Sequence, residues 1–89
     1  MDNGAGSTIR ESVREIVMEL APNQEAQPAD DAKLVDDLQY TSLALTELAF
    51  TLEDEFDLSP IDEATARAIS TVGDICDHVE REIRARQAV

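Results

Sequence analysis

The sequence predicts an all-α fold, a small four-helix bundle built from three principal helices and one short helix. Glycine and proline, which interrupt helices, each occur only three times in 89 residues. Apolar residues recur at helical spacing in separate stretches, and the prolines fall between those stretches. With two Phe, one Tyr and no Trp, the core of this bundle must be mainly aliphatic.

The first helix is expected to begin after Thr8, which forms a capping box with Glu11. It should end before Pro22, which cannot continue a helix. Its buried stripe is predicted to contain the five apolar residues Ile9, Val13, Ile16, Val17 and Leu20. We therefore expect one folded domain over residues 8–86, with a flexible tail at 1–7 and a short tail at 87–89.

Residues 21–41 form a long connection, which is unusual inside so small a domain. Three apolar residues can anchor it to the bundle, namely Leu34, Val35 and Leu38. We expect one turn of helix near residues 32–36.

The second helix is predicted from Ser42 to about Phe56, with Thr41 as its N-cap. Its apolar residues follow the helical period and should face the core: Leu45, Leu48, Ala49, Leu52 and Phe56. At about 100° per residue, a second row lies nearly opposite and should be exposed. This outer row consists of Leu43, Glu47, Phe50 and Asp54.

A short third helix is expected from its cap at Asp62 to about Ala68, with Ile61, Ala66 and Ile69 facing inward. Thr71 and Asp74 resemble a capping pair at the start of the fourth helix. The buried residues of that helix should be Val72, Ile75, Cys76, Val79 and Ile83.

The net charge of −13 is unevenly distributed, because residues 30–63 contain eleven acidic residues and one basic residue. Such a surface repels nucleic acid and anionic membranes and favours partners with basic patches. A single cysteine excludes an intramolecular disulfide, and no signal peptide or membrane-spanning run is visible. We expect a soluble, cytoplasmic monomer that binds no nucleic acid and does not insert into membranes.

Few residues could support catalysis or metal binding. Cys76 and His78 point to different faces of a helix, Cys76 as a core residue and His78 as a surface residue. One His and one Cys make no zinc site, and residues 54–62 lack the ligand spacing of a calcium loop. Ser42 has no base to activate it, although its place at a helix N-terminus favours an attached anion.

A resemblance now emerges from several short motifs, which are Asp37-Leu38, Ser42-Leu43, Glu47-Leu48, residues 52–56 (Leu-Glu-Asp-Glu-Phe) and Thr71-Val72. Together they cover nearly the whole chain, and the sequence resembles the acyl carrier protein family. The resemblance implies an acyl-carrier-like bundle and a covalent 4′-phosphopantetheine arm that a separate transferase moves from coenzyme A to Ser42. The protein would hold acyl groups as thioesters and would itself be no enzyme.

The resemblance also implies two surfaces. An acyl cleft between the second and third helices would be lined by Leu48, Leu52, Ile61, Ala66, Ile69 and Ile75. Acyl-loading and acyl-processing enzymes with basic patches would dock on Leu43, Glu47, Phe50, Glu53 and Asp54. A different interpretation of the same acidic helices is an interaction module that docks a basic protein and carries nothing.

The sequence departs from the family pattern next to the serine. Thr41 and Ala44 stand where relatives often have acidic residues, and Gln39-Tyr40 replaces a glycine-led dipeptide. These departures favour a specialised polyketide, fatty-acid or lipopeptide pathway. They also predict docking that depends more on Leu43 and Phe50, and less on salt-sensitive attraction, than in a typical relative.

Overall fold

The computed structural model describes residues 5–26 and 29–87 and confirms the four-helix, all-α architecture. The helices are α1 (Ala5–Leu20), α2 (Ser42–Phe56), α3 (Glu63–Ala68) and α4 (Val72–Gln87). Within these residues there is no strand, only one isolated antiparallel bridge between Lys33 and Thr71. None of the described helices is both long and apolar enough to cross a lipid bilayer.

Helix α1 begins at Ala5, so the predicted start after Thr8 is wrong by about one turn. No proline interrupts residues 5–8, and the helix can therefore extend past the predicted cap. Residues 5–7 thus belong to α1, while residues 1–4 of the expected tail lie outside the described residues. Val13 and Val17 are fully buried, in agreement with the predicted stripe.

The connection between α1 and α2 is held to the bundle by Leu34 and Leu38, which are buried as predicted. Val35 was expected to join them, but it is exposed, because the chain forms a tight turn here instead of a helix. In this turn the Lys33 carbonyl accepts from the amides of both Asp37 and Leu38. The turn occupies residues 34–38. Its bond from Asp37 N to Lys33 O has helical spacing, so one turn forms slightly later than the expected 32–36 and does not continue as a helix.

The start of α4 anchors the same connection through backbone hydrogen bonds. Leu34 N donates to Ser70 O at 3.0 Å, and Val72 N donates to Ala32 O at 3.0 Å. Gly73 N donates to Asp30 O at 2.8 Å, and a Cβ at Gly73 would lie only 3.1 Å from that oxygen. Gly73 therefore permits a close backbone approach that fixes the loop bearing Asp30.

The caps of the later helices agree with the sequence. The Asp62 carboxylate accepts from Thr65 N at 2.7 Å, and this bond begins α3. Thr71 Oγ1 accepts from Asp74 N at 3.1 Å, while Asp74 accepts from Thr71 N at 3.2 Å. This reciprocal pair is the predicted capping box of α4. Helix α4 extends to Gln87, one residue beyond the expected end of the domain.

Helices α1 and α4 pack together around the core, and all five predicted residues of the α4 stripe are buried. An ion-pair network crosses the same interface. Arg10 on α1 contacts Asp77 at 2.8 Å and Glu80 at 2.9 Å on α4, and it also contacts Asp30 in the loop at 3.0 Å. Arg14 contacts Asp30 at 2.6 Å.

Besides Val35, two burial predictions are wrong and one is met only in part. His78 is buried and not on the surface, because it lies on the cavity wall opposite residues of α2, and its exposed fraction is only 7%. Phe56 packs against the core as predicted, but at the end of α2 it is only half-buried. Ala66 is exposed, since the six-residue α3 lies at the edge of the bundle.

Candidate functional site

The N-terminus of α2 presents Ser42 to solvent at its first position. Thr41 has an extended backbone, and its Oγ1 accepts from Ala44 N at 3.1 Å, as expected of an N-cap. Thr46 Oγ1 donates to the Ser42 carbonyl at 3.0 Å and so supports the first turn. The Ser42 side chain is therefore exposed, while hydrogen bonds from both ends of the first turn hold the backbone beneath it.

The electrostatics of this first turn suit a phosphate ester. The first turn of α2 contains no acidic residue, because Thr41 and Ala44 are uncharged. Backbone amides at a helix N-terminus carry partial positive charge and stabilise a nearby anion. Among the described residues no side chain hydrogen-bonds the Ser42 hydroxyl. The described residues therefore place no base beside Ser42 that could activate its hydroxyl as a nucleophile.

Tyr40, which sequence reasoning did not assign to the core, fixes the approach to the serine. Its side chain is buried, its backbone N donates to Leu34 O at 2.9 Å, and its hydroxyl donates to the Val17 carbonyl in α1. Burial raises the pKa of Tyr40 to about 12. No local pattern signals this burial, because Leu38 ends a turn and Gln39 between the two buried residues is not extended.

Gln39, between those two anchors, adopts the left-handed conformation with φ 63°. Non-glycine residues adopt this conformation at a cost, since their Cβ crowds the backbone. The glycine-led dipeptide of relatives would avoid that crowding. Here the buried side chains on either side hold Gln39 in place.

A cavity of about 530 Å³ opens beside α2. All six residues predicted for the cleft line it, namely Leu48, Leu52, Ile61, Ala66, Ile69 and Ile75. Sequence reasoning missed further members, among them Leu34, Val35, Leu45, Ala49, Phe50 and His78. The connection contributes because its turn lies against α2, a tertiary contact that no local pattern reveals. That this cavity holds an acyl chain remains a prediction.

The outer row of α2 faces solvent, with Leu43 exposed by 70% and Phe50 by 65%. Glu47 and Asp54 are exposed beside them. Glu53 differs, because it is half-buried and its carboxylate accepts from Ile61 N at 3.1 Å. Glu53 therefore fixes the loop before α3. The other four form an exposed apolar and acidic surface, which we call the outer face, and its Phe50 also borders the cavity.

Three further ionisable residues, Cys76, Asp62 and Asp74, have structural positions in the core or at helix caps. Cys76 is a free, buried thiol whose pKa is raised by burial, so it is a poor nucleophile. Hydrogen bonds from backbone amides and hydroxyls at the helix caps lower the pKa values of Asp62 and Asp74. Within residues 5–26 and 29–87, no group of three or more His, Cys, Asp or Glu is placed to hold a metal ion.

Comparisons with known proteins give one consistent result. A family model described as a phosphopantetheine attachment site matches residues 9–79. An acyl carrier protein from Thermotoga maritima is 39% identical over 71 residues, which cover 80% of this chain and 86% of that protein. A solved structure from Mycobacterium tuberculosis, described as a candidate acyl carrier protein, matches with a TM-score of 0.67 and 30% identity. That match covers 86% of this chain and 96% of the other.

Proposed function

This chain belongs to the phosphopantetheine-bearing acyl carrier protein family, and on that premise we propose that Ser42 is the residue that bears the arm. The protein is a carrier and not an enzyme. The observation that carries the proposal is the exposed Ser42 hydroxyl at the capped N-terminus of α2, in a first turn without carboxylates.

The residues around Ser42 fit the group it would bear. The serine oxygen would replace the nucleotide portion of coenzyme A at a phosphorus atom, and the transferase would remove the serine proton. The α2 amides would stabilise the resulting phosphodiester, and Thr41 would keep the first turn closed. The terminal thiol of the arm supplies a thioester linkage for acyl groups.

The attachment assignment is tested by intact mass after incubation with coenzyme A and a promiscuous phosphopantetheinyl transferase. The wild-type protein should gain one arm and Ser42→Ala none. Ser59→Ala is the matched control, because Ser59 is also exposed but precedes a proline outside any helix. An arm on Ser42→Ala, or none on the wild-type protein, would overturn the assignment.

The cavity is the proposed binding site for the acyl chain. Its lining is mainly aliphatic, and burying each methylene contributes about 0.8 kcal/mol. The thermal midpoint of the acylated protein should therefore rise with chain length until the cavity is filled. Coincident midpoints for unloaded and acylated forms across several chain lengths would show that the cargo stays in solvent.

The outer face is the proposed docking surface for the transferase and for acyl-processing enzymes. Phe50→Ala should slow loading by roughly tenfold, because truncating a central interface aromatic costs on the order of 1–2 kcal/mol. Glu47→Lys should slow it less and depend on salt. Glu11→Lys reverses a charge on the exposed side of α1 and is the control. If both α2 variants react like wild type, docking occurs elsewhere.

The pathway assignment is a specialised polyketide, fatty-acid or lipopeptide route. It is supported by the departures from the acidic motif of relatives at Thr41 and Ala44, which leave Leu43 and Phe50 as the main docking features. A reducing, cytoplasmic setting is consistent with the free thiol of Cys76.

A further inference from the structure

His78 is a buried polar residue on the wall of an otherwise apolar cavity. It lies on α4, is 7% exposed, and borders the cavity together with Leu48, Leu52 and Ile75. Its Nε2 atom is fully buried and has no hydrogen-bond partner among the described residues. This arrangement is costly, because a buried nitrogen without a partner loses its hydration and gains nothing in return.

The other polar residues of the cavity wall do not share this situation. Five of them are exposed or half-exposed at its edge, namely Lys33, Asp36, Thr46, Glu53 and Ser70. The Glu53 carboxylate accepts a hydrogen bond from Ile61 N, and the Ser70 hydroxyl donates one to the Asp74 carboxylate. His78 is therefore the single buried polar side chain described in the lining.

A second buried atom without a partner, Arg14 Nε, provides a useful contrast. It belongs to a guanidinium that already bonds Asp30 through Nη2, and Arg14 does not line the cavity. Its unmet hydrogen-bonding capacity is part of an ion-pair network at the surface of α1. By contrast, His78, whose Nε2 has no hydrogen-bond partner, lines the cavity in which cargo is proposed to bind.

We propose that His78 is a hydrogen-bonding contact for the cargo, and that the cavity selects acyl chains that bear a hydroxyl or keto oxygen. The proposal rests on the proposed carrier function and names the cargo class of that same cavity. A neutral imidazole nitrogen is either a donor or an acceptor, according to its tautomer. A hydroxyl can match either tautomer, whereas a keto oxygen requires a proton on Nε2.

The first test compares thermal midpoints of the protein loaded with octanoyl and with β-hydroxyoctanoyl groups. In the wild-type protein the hydroxyl should cost no stability, and the hydroxylated form should melt about 4 °C or more above the octanoyl form, the size of one buried hydrogen bond in a domain of this length. In His78→Leu the order should reverse. His78→Gln keeps a polar group at this position and should restore the wild-type order.

The second test needs no variant, since His78 is the only histidine in the sequence and its ring signals are unambiguous. The ¹⁵N shift of Nε2 should move on loading with β-hydroxyoctanoyl and stay close to the unloaded value with octanoyl. A β-ketooctanoyl arm that moves the shift identifies Nε2 as the donor. If the β-ketooctanoyl arm leaves the Nε2 shift unchanged while the β-hydroxyoctanoyl arm moves it, Nε2 is the acceptor.

The proposal is overturned if the midpoint difference between the two cargoes is equal in wild type and His78→Leu, or if neither oxygenated cargo moves the Nε2 shift. Failure of the carrier function would look different, because intact mass would show no arm on Ser42. In that case free β-hydroxyoctanoyl and octanoyl pantetheine are titrated against the unmodified protein, and equal effects on Nε2 overturn the proposal.

Discussion

The two sides of this bundle are built differently. On one side α1 and α4 pack closely around Val13, Val17 and Val79, and ion pairs from Arg10 and Arg14 cross the interface. On the other side α2, the short α3, the connection and one face of α4 line an open cavity of about 530 Å³. We call these the closed side and the cavity side.

The contrast separates the part of the fold that could hold the proposed cargo from the part that could stay unchanged when cargo is loaded. Buried aliphatic contacts on the closed side stabilise the fold without involving the cavity lining. The cavity side leaves apolar surface incompletely packed, which weakens the unloaded protein but provides a binding site. Arg86 on α4 donates to the Phe56 carbonyl at 2.9 Å and holds the far end of α2 while its N-terminus presents Ser42.

The largest expected effect comes from a residue that both sides share. Leu52 is 1% exposed and lies in the core as well as on the cavity wall. Leu52→Asp should unfold the domain, because an unpaired buried carboxylate costs several kcal/mol or more against a total stability of roughly 5–10 kcal/mol. Ala66→Asp, on the exposed rim of the same cavity, should remain folded. Thermal melts followed by circular dichroism would measure the stability of both variants. An unchanged thermal midpoint for Leu52→Asp would show that Leu52 is not part of the core.

A smaller effect is expected when the ion pairs of the closed side are removed. Arg10→Ala leaves the Glu80 carboxylate, whose side chain is only 10% exposed, without its partner. We expect a loss of about 1–3 kcal/mol in the free energy of unfolding, measured by urea titration. Arg81→Ala, an exposed residue on the same helix, should change it by no more than about 0.5 kcal/mol. Equal losses in the two variants would show that the network contributes nothing specific.

The smallest effect is a pH dependence of the closed side. Hydrogen bonds from Arg14 and then Arg10 lower the pKa of Asp30 below its ordinary value of 3.8. Asp30 therefore binds a proton more readily in the unfolded chain than in the folded protein. The stabilisation from its ionised form is present above about pH 4. It is lost as the pH falls through the pKa of Asp30 in the folded protein. Because Asp30 is half-exposed, water screens the effect.

Lowering the pH also protonates the many other acidic residues and reduces their mutual repulsion. Comparing wild type with Asp30→Asn separates the contribution of Asp30 from this general effect. Wild type should be more stable than Asp30→Asn at pH 7, and the difference should shrink when urea titrations are repeated at pH 3. If the difference in the free energy of unfolding is the same at both pH values, Asp30 does not contribute to the pH dependence.

Sequence reasoning predicted most of the fold where local chemistry decides it. The Thr41 cap and the stripe through Leu48 and Leu52 gave the bounds of α2, and the Thr71–Asp74 pair gave the start of α4. These signals lie within one or two turns of the backbone that they organise. The six cleft residues were also placed around one cavity, because the resemblance supplied the arrangement of the helices.

The errors lie where contacts distant in sequence decide the outcome. Val35 was assigned to the core and His78 to the surface, and their positions depend on how the connection packs beside α2 and α4. The hydrogen bond from Tyr40 to Val17 spans 23 residues, and the ion pair from Arg10 to Glu80 spans 70. Helical periodicity contains no information about such pairs.

The most direct test of the central claim, that cargo is held on the cavity side while the closed side stays fixed, is a methyl NMR comparison of the unloaded and acylated protein. The methyl signals of Leu45, Ile69 and Ile75 should shift on loading, because these residues line the cavity. Those of Val13 and Val17, which do not line it, should stay in place. Shifts of similar size on both sides, or no shift at the cavity residues, would contradict the account.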